Sequence, residues 1–174
     1  NNKYYTTNFI GNIPVKCVIN SDIENMKYLC ELNLAESQIS IPEISFKKNQ
    51  NYDAILFISG SLTQDYNFED VNFKFSNLYN TAVGKFKYDK VSNTYFINFD
   101  KFIYNLNDIK ANVIYKENEK INIDILSGTI DIRNFLVVSN NYNITTKINI
   151  NANLDQLIIL DDIYLDKSSL YYSN

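Results

Sequence analysis

Few side chains in this sequence have the types and spacing that chemistry requires. Two adjacent carboxylate pairs, Glu69-Asp70 and Asp161-Asp162, are the sharpest candidates. Glycoside hydrolysis needs two carboxyl groups facing each other across a cleft. Neighbouring residues on a strand point to opposite faces, so neither pair forms such a dyad, and both read as solvated turn or edge residues. Asp161, Asp162 and Asp166 lack the glycine and the spacing of a calcium loop. Histidine is absent, which removes Ser-His-Asp and Cys-His arrangements and every His-ligated metal site. Four scattered glycines build no phosphate-cradling loop. The expectation is a chain with no catalytic residues, no metal and no cofactor.

Cys17 and Cys30 are the two cysteines, and they fall on neighbouring predicted strands. A disulfide in an oxidising compartment and a pair of thiols packed as small apolar residues are both open readings. Lysines 85, 87, 90, 101, 110, 116 and 120 lie on turns and polar faces. Contact with anionic headgroups is one use for them; guarding strand edges against aggregation is the plainer one. Arg133 is the single arginine, and the net charge of -4 is spread along the chain. Nucleic-acid binding needs a concentrated basic footprint, so that class is set aside.

The elements that must position these residues are strands. Between residues 81 and 132 apolar residues recur two apart in short runs separated by polar turns, the period of half-buried strands. The runs are 83–88, 95–99, 102–106, 111–115, 121–125 and 130–132. Upstream, 13–19 alternates, with Pro14 marking an edge or an entry to the sheet. Ser21 and Glu24 resemble a helical capping box, so 22–29 reads as either a short helical turn or a loop. Strands follow at 28–34, 39–41 and 44–46. Residues 54–58 are continuously apolar and read as a strand buried on both faces, ended by Gly60. A phase slip between Phe68 and Val71 predicts a bulge. Downstream, 135–138 is apolar on both sides, and 144–154 is the cleanest alternation in the chain. Shorter runs at 157–160, 163–165 and 170–172 complete the series.

Length and composition fit this picture. The 174 residues, 45% of them apolar, suit a single β-rich domain over 1–174 or a segment of a longer repetitive β protein. The wealth of Asn, Ile, Lys and Tyr is the codon signature of an A+T-rich genome, so we do not read the 14 tyrosines as an aromatic binding surface. The longest apolar runs are far short of a membrane-spanning helix.

The expected fold is all-β: a mostly antiparallel meander of about ten strands, curled into an elongated open sheet or groove, with a closed β-sandwich as the alternative. One face is rich in Ile, Phe and Tyr, and the sequence supplies no amphipathic helix of 10 or more residues to cover it. If the sheet curls, that face lines a groove. Phase assigns Phe86, Tyr88, Ile97, Phe99, Tyr104, Val113, Ile123, Ile125, Ile148 and Ile150 inward, as candidates to face lipid. A one-residue register slip would invert any strand of this set.

The rhythm of GKFKY (84–88), YFINF (95–99), LNDIK (106–110) and IDILSG (123–128) resembles that of the AsmA-like proteins. So does ININANLDQL (148–157), followed by Leu165 and Leu170. The resemblance spans roughly residues 50–170. It implies a sheet folded lengthwise into an apolar trough that bridges the periplasm of a diderm bacterium and carries phospholipid. It also implies an N-terminal membrane anchor, which this sequence lacks, so the chain would be an internal segment. It carries over no catalytic residue. The expected function is therefore non-enzymatic: binding or conducting lipid in the cell envelope. The partners would be acyl chains and neighbouring segments or another envelope protein. The alternative is a secreted or surface β-sandwich module for adhesion or protein–protein contact.

Overall fold

The computed structural model describes residues 8–21, 26–41, 46–62, 68–116, 120–133 and 147–173. Among these residues thirteen strands form two sheets. A small one joins β1 (Asn8–Ile10), β4 (Gln38–Ile41) and β5 (Phe46–Lys48) in the order β1-β4-β5. The other ten strands form a single open sheet. They are β2 (Val15–Ser21), β3 (Met26–Asn33), β6 (Ala54–Leu62), β7 (Phe68–Asn77), β8 (Thr81–Asp89), β9 (Thr94–Tyr104), β10 (Asn107–Lys116), β11 (Lys120–Asp131), β12 (Lys147–Leu160) and β13 (Ile163–Ser173). Their order is β13-β12-β11-β10-β9-β8-β7-β6-β3-β2, so nearly every strand pairs with its neighbour in sequence. Among the described residues packing runs between adjacent strands, and no second layer lies on the large sheet. The expected open all-β sheet is the architecture; the closed sandwich is not formed.

The sheet departs from a simple meander at two places: β6 pairs with β3 after β4 and β5 have left for the small sheet, and the second is the step from β11 to β12. β11 and β12 pair in parallel, with Ile121 opposite Ile148 and Ile123 opposite Ile150. Parallel neighbours need a long return connection, and none of the short-range turn chemistry elsewhere in the chain announces one. The apolar run at 135–138 and residues 144–146 lie outside the described residues.

Several predicted strands merge. Runs 95–99 and 102–106 are one strand, β9, because a bulge at Asp100 sets Phe99 and Phe102 on the same face. Runs 147–154 and 157–160 are likewise β12, and 163–165 and 170–172 are β13. Gly60 does not end its strand; it sits at a register shift inside β6. The matching irregularity on β7 is Asp70, at φ 49°, where the phase slip placed a bulge. Of the 54–58 run only Ala54 is buried, since the strand has a layer on neither face to enclose it. Residues 22–29, read as a short helical turn or a loop, are strand from Met26 onward, and 22–25 lie outside the described residues.

Asparagine finds a physical use at the turns. Asn93 ends the β8–β9 turn and Asn105 begins the β9–β10 turn, at φ 50° and 55°, a region that Asn tolerates better than most residues. Asp89 begins the first of these turns, accepting hydrogen bonds from the Val91 amide at 3.0 Å and the Ser92 hydroxyl at 2.6 Å. Those bonds, led by that from Ser92, hold its carboxyl below the ordinary range.

Two polar clamps tie strands to the connections beside them. The buried Lys48 ammonium donates to the carbonyls of Ser37 (2.6 Å), Ala35 (3.1 Å) and Asn49 (3.1 Å), tying β5 to the turn after β3. Burial pushes its pKa down. At the far side the buried Asp131 carboxylate accepts from Arg133 Nε at 2.9 Å and Nη2 at 2.7 Å. Arg133 Nη1 also donates to exposed Asp161 in the β12–β13 turn.

Candidate apolar groove

Register decides which side chains share a face. Cys30, Ile58, Phe73, Gly84, Phe99, Ala111, Ile125 and Ala152 follow one another across the sheet as direct partners. The row beside it runs Val71, Phe86, Ile97, Val113, Ile123 and Ile150. A third runs Tyr88, Tyr95, Tyr115, Ile121 and Ile148. Tyr104 joins the same face beyond the Asp100 bulge, in ring contact with Phe102 at 6.4 Å. All ten inward candidates thus occupy one face of the sheet.

The opposite face carries polar ladders. Asn98 Nδ2 donates to Asn112 Oδ1 at 2.6 Å, and Asn149 Nδ2 donates to Asn122 Oδ1 at 3.0 Å. Cross-strand pairs of this kind stabilise a solvated face without apolar area.

The apolar face has two parts. From β2 to β10 it curls into an open groove of about 1420 Å³. Val15, Tyr28, Leu32, Ile58, Phe86 and Ile97 are among the side chains along it, with Tyr88, Tyr95 and Val113. Asp70, Lys85, Lys87 and Lys90 border the cavity. From β10 to β12 the face is instead packed: Ala111, Ile125, Ala152, Leu154 and Leu157 are buried together. Ile123 and Ile150 pack against that cluster. Of the ten candidates, then, Phe86, Tyr88, Ile97 and Val113 line the groove, whereas Ile123, Ile125 and Ile150 belong to the packed cluster. Phe99, Tyr104 and Ile148 share the face but do not border the cavity. The alternation that places a residue on a face says nothing of how far that face is covered.

Aromatic rings organise this face of the sheet. Tyr88 stacks on Tyr95 at 4.7 Å and Tyr95 on Tyr115 at 5.7 Å, a ladder across three strands. Phe73 and Phe99 meet edge to face at 5.6 Å, although β8 runs between their strands. Gly84 makes this contact possible. A Cβ there would lie 3.0 Å from the Phe73 ring and 1.9 Å from the Asn98 carbonyl oxygen. A glycine inside a strand marks such close approach. Setting the tyrosines aside as a codon effect therefore missed the ladder. The sequence reading also missed Tyr28, Leu32, Ile58 and Leu62, which line the groove from β3 and β6. Their alternation at 28, 30 and 32 was legible; that the N-terminal strands curl over to face β9 and β10 was not.

Cys17 and Cys30 stand directly opposite each other on β2 and β3 and are joined by a disulfide. Cys30 borders the groove, and burial pushes the neighbouring Tyr28 phenol pKa up.

No protein-family model, curated protein or solved structure matches this chain. The carboxylates that sequence spacing raised do not converge. Asp161 and Asp162 are exposed in the β12–β13 turn, and Glu69 and Asp70 begin β7 several strands away. Among the described residues no three His, Cys, Asp or Glu side chains cluster to hold a metal ion. No helix among them is long and apolar enough to cross a membrane.

Proposed function

We propose that this chain is a non-enzymatic lipid-binding β-trough of the cell envelope, with acyl chains lying along the apolar face between β2 and β10. The observation that carries the reading is a single curled sheet over whose groove the described residues place no second layer. At about 1420 Å³ the groove exceeds the roughly 300–1,000 Å³ of compact small-molecule sites and is open to solvent. An elongated apolar ligand suits it better than a compact polar one. Each methylene that an acyl chain buries contributes roughly 0.8 kcal/mol, so a few turns of chain contact offset the loss of freedom on binding. The resemblance to AsmA-like proteins points the same way. It also suggests the periplasm as location and further segments or another envelope protein as neighbours.

The test is titration with cis-parinaric acid, a fatty acid whose fluorescence rises in apolar surroundings. Saturable binding is expected. Ile97→Asp and Val113→Asp should weaken it at least tenfold, and Asn122→Asp on the opposite face should leave it unchanged. Absence of saturable binding, or equal loss from Asn122→Asp, would sink the reading.

A further inference from the structure

We propose that the Cys17–Cys30 disulfide is a reducible latch on the groove rim, with a dithiol reductant as its chemical partner. Its consequence for ligand binding rests on the groove reading above. The bond lies at the centre of the β2–β3 pairing, which runs from Val15 opposite Leu32 to Ser21 opposite Met26. β2 is the outermost strand of the sheet, and all seven of its side chains are exposed. Val15, Val18 and Ile19 remain 55–60% exposed. Thus β2 contributes almost no burial of its own. One hydrogen-bond ladder and the disulfide hold it. β3 differs: it is paired on both sides, to β2 and β6, and Leu32 and Cys30 are partly buried. Val15, Ile19 and Cys30 all line the groove, so the strand held by the bond is also the groove's rim.

Exposure makes the bond accessible to exchange. Cys17 is exposed on the open edge and Cys30 is partly buried, so the sulfur of Cys17 is the one that an incoming thiolate reaches. Exposed disulfides are the labile ones, whereas buried structural ones resist reduction. One thiolate of the dithiol attacks Cys17 Sγ. A mixed disulfide forms, the Cys17–Cys30 bond breaks, and Cys30 leaves as a thiolate that takes a proton. The second thiol of the reagent then attacks its own sulfur of the mixed disulfide and releases Cys17. The chain gains two electrons and two protons, and the reagent leaves as its disulfide. With the bond open, β2 has only its ladder and separates from β3, which becomes the new edge of a shallower groove.

The experiment is hydrogen exchange read by mass spectrometry on the whole chain, before and after treatment with dithiothreitol under native conditions. The latch predicts that amides 15–21 exchange at least tenfold faster after reduction, while those of β8 to β12 keep their protection. The Cys17→Ser/Cys30→Ser double variant should give the same pattern with no reductant. The proposal is overturned if the bond yields to dithiothreitol only in denaturant, if amides 15–21 are unaffected by its cleavage, or if the whole sheet loses protection together. Parinaric acid binding in the two redox states separates the latch from the groove. At least threefold weaker binding after reduction supports both. Equal binding with β2 released overturns the latch as a control on the groove. No binding in either state, with β2 still released, refutes the groove reading and leaves the reducible edge standing.

Discussion

Between β10 and β12 the apolar face is closed, and between β2 and β9 the same face lies open. In the closed part Ala111 and Ala152 sit in the row that Ile125 occupies, and Leu154 and Leu157 fill the space that their small side chains leave. Toward β6 the same row runs through Ile58, Phe73, Gly84 and Phe99, where two rings bridge over a glycine, and the groove beside it is lined by Ile58, Phe86, Tyr88, Tyr95 and Ile97. Both parts alternate with the same period. Burial separates them, through the mixture of small and large residues in one and rings spread along a concave floor in the other. One end of the sheet holds the fold, and the other leaves apolar surface for use.

That contrast breaks if the two parts respond alike to truncation. Leu154→Ala, in the closed cluster, is expected to cost about 2–5 kcal/mol of stability in chemical denaturation, the range for a buried leucine. Ile97→Ala, on the groove floor, should cost about 1 kcal/mol or less, because its side chain is still partly in water. Equal costs would mean that the groove is a core in disguise. Next in size is Gly84→Val. Its branched side chain would enter the Asn98 carbonyl and the Phe73 ring, so the two benzyl rings must part. A loss of about 1–3 kcal/mol is expected, with ring resonances of Phe73 and Phe99 shifting in NMR spectra.

A further effect, smaller than those of Leu154→Ala and Gly84→Val, concerns the clamp at the closed end. Arg133, chiefly through its side-chain hydrogen bond, holds the Asp131 carboxyl below the ordinary carboxylate range. A carboxyl lowered on folding adds stability that is complete above its unfolded pKa and disappears as pH falls through the folded one. Asp131→Asn should therefore cost about 1–2 kcal/mol at pH 7. The difference from the parent should shrink as pH drops below about 4, the ordinary aspartate value. A pH-independent difference would place the clamp's contribution in shape, and not in charge.

Much of this was legible from alternation alone. The strands between 81 and 132 and the shared face of the set from Phe86 to Ile150 follow from period two, because each face of a single sheet is a separate environment. Three features were not legible, each for a physical reason. The Asp100 bulge joins two runs into β9, and a bulge is a property of pairing with a neighbour, which neither run contains. The parallel join of β11 to β12 depends on a connection that local turn chemistry does not encode. The bond between Arg133 and Asp161 links residues 28 apart in sequence, brought together only by that parallel join. The groove was expected, but its wall from β3 and β6 was not, because curvature is a property of the whole sheet and that wall is remote in sequence from the aromatic floor.

The central claim is that the open apolar face is occupied by lipid in the cell. Native mass spectrometry of the purified chain, with organic extraction of whatever accompanies it, tests this most directly. The account predicts phospholipid or fatty acid in near-stoichiometric amount, released by Ile97→Asp. A clean apo mass from protein that unfolds cooperatively, with nothing in the extract, would contradict it.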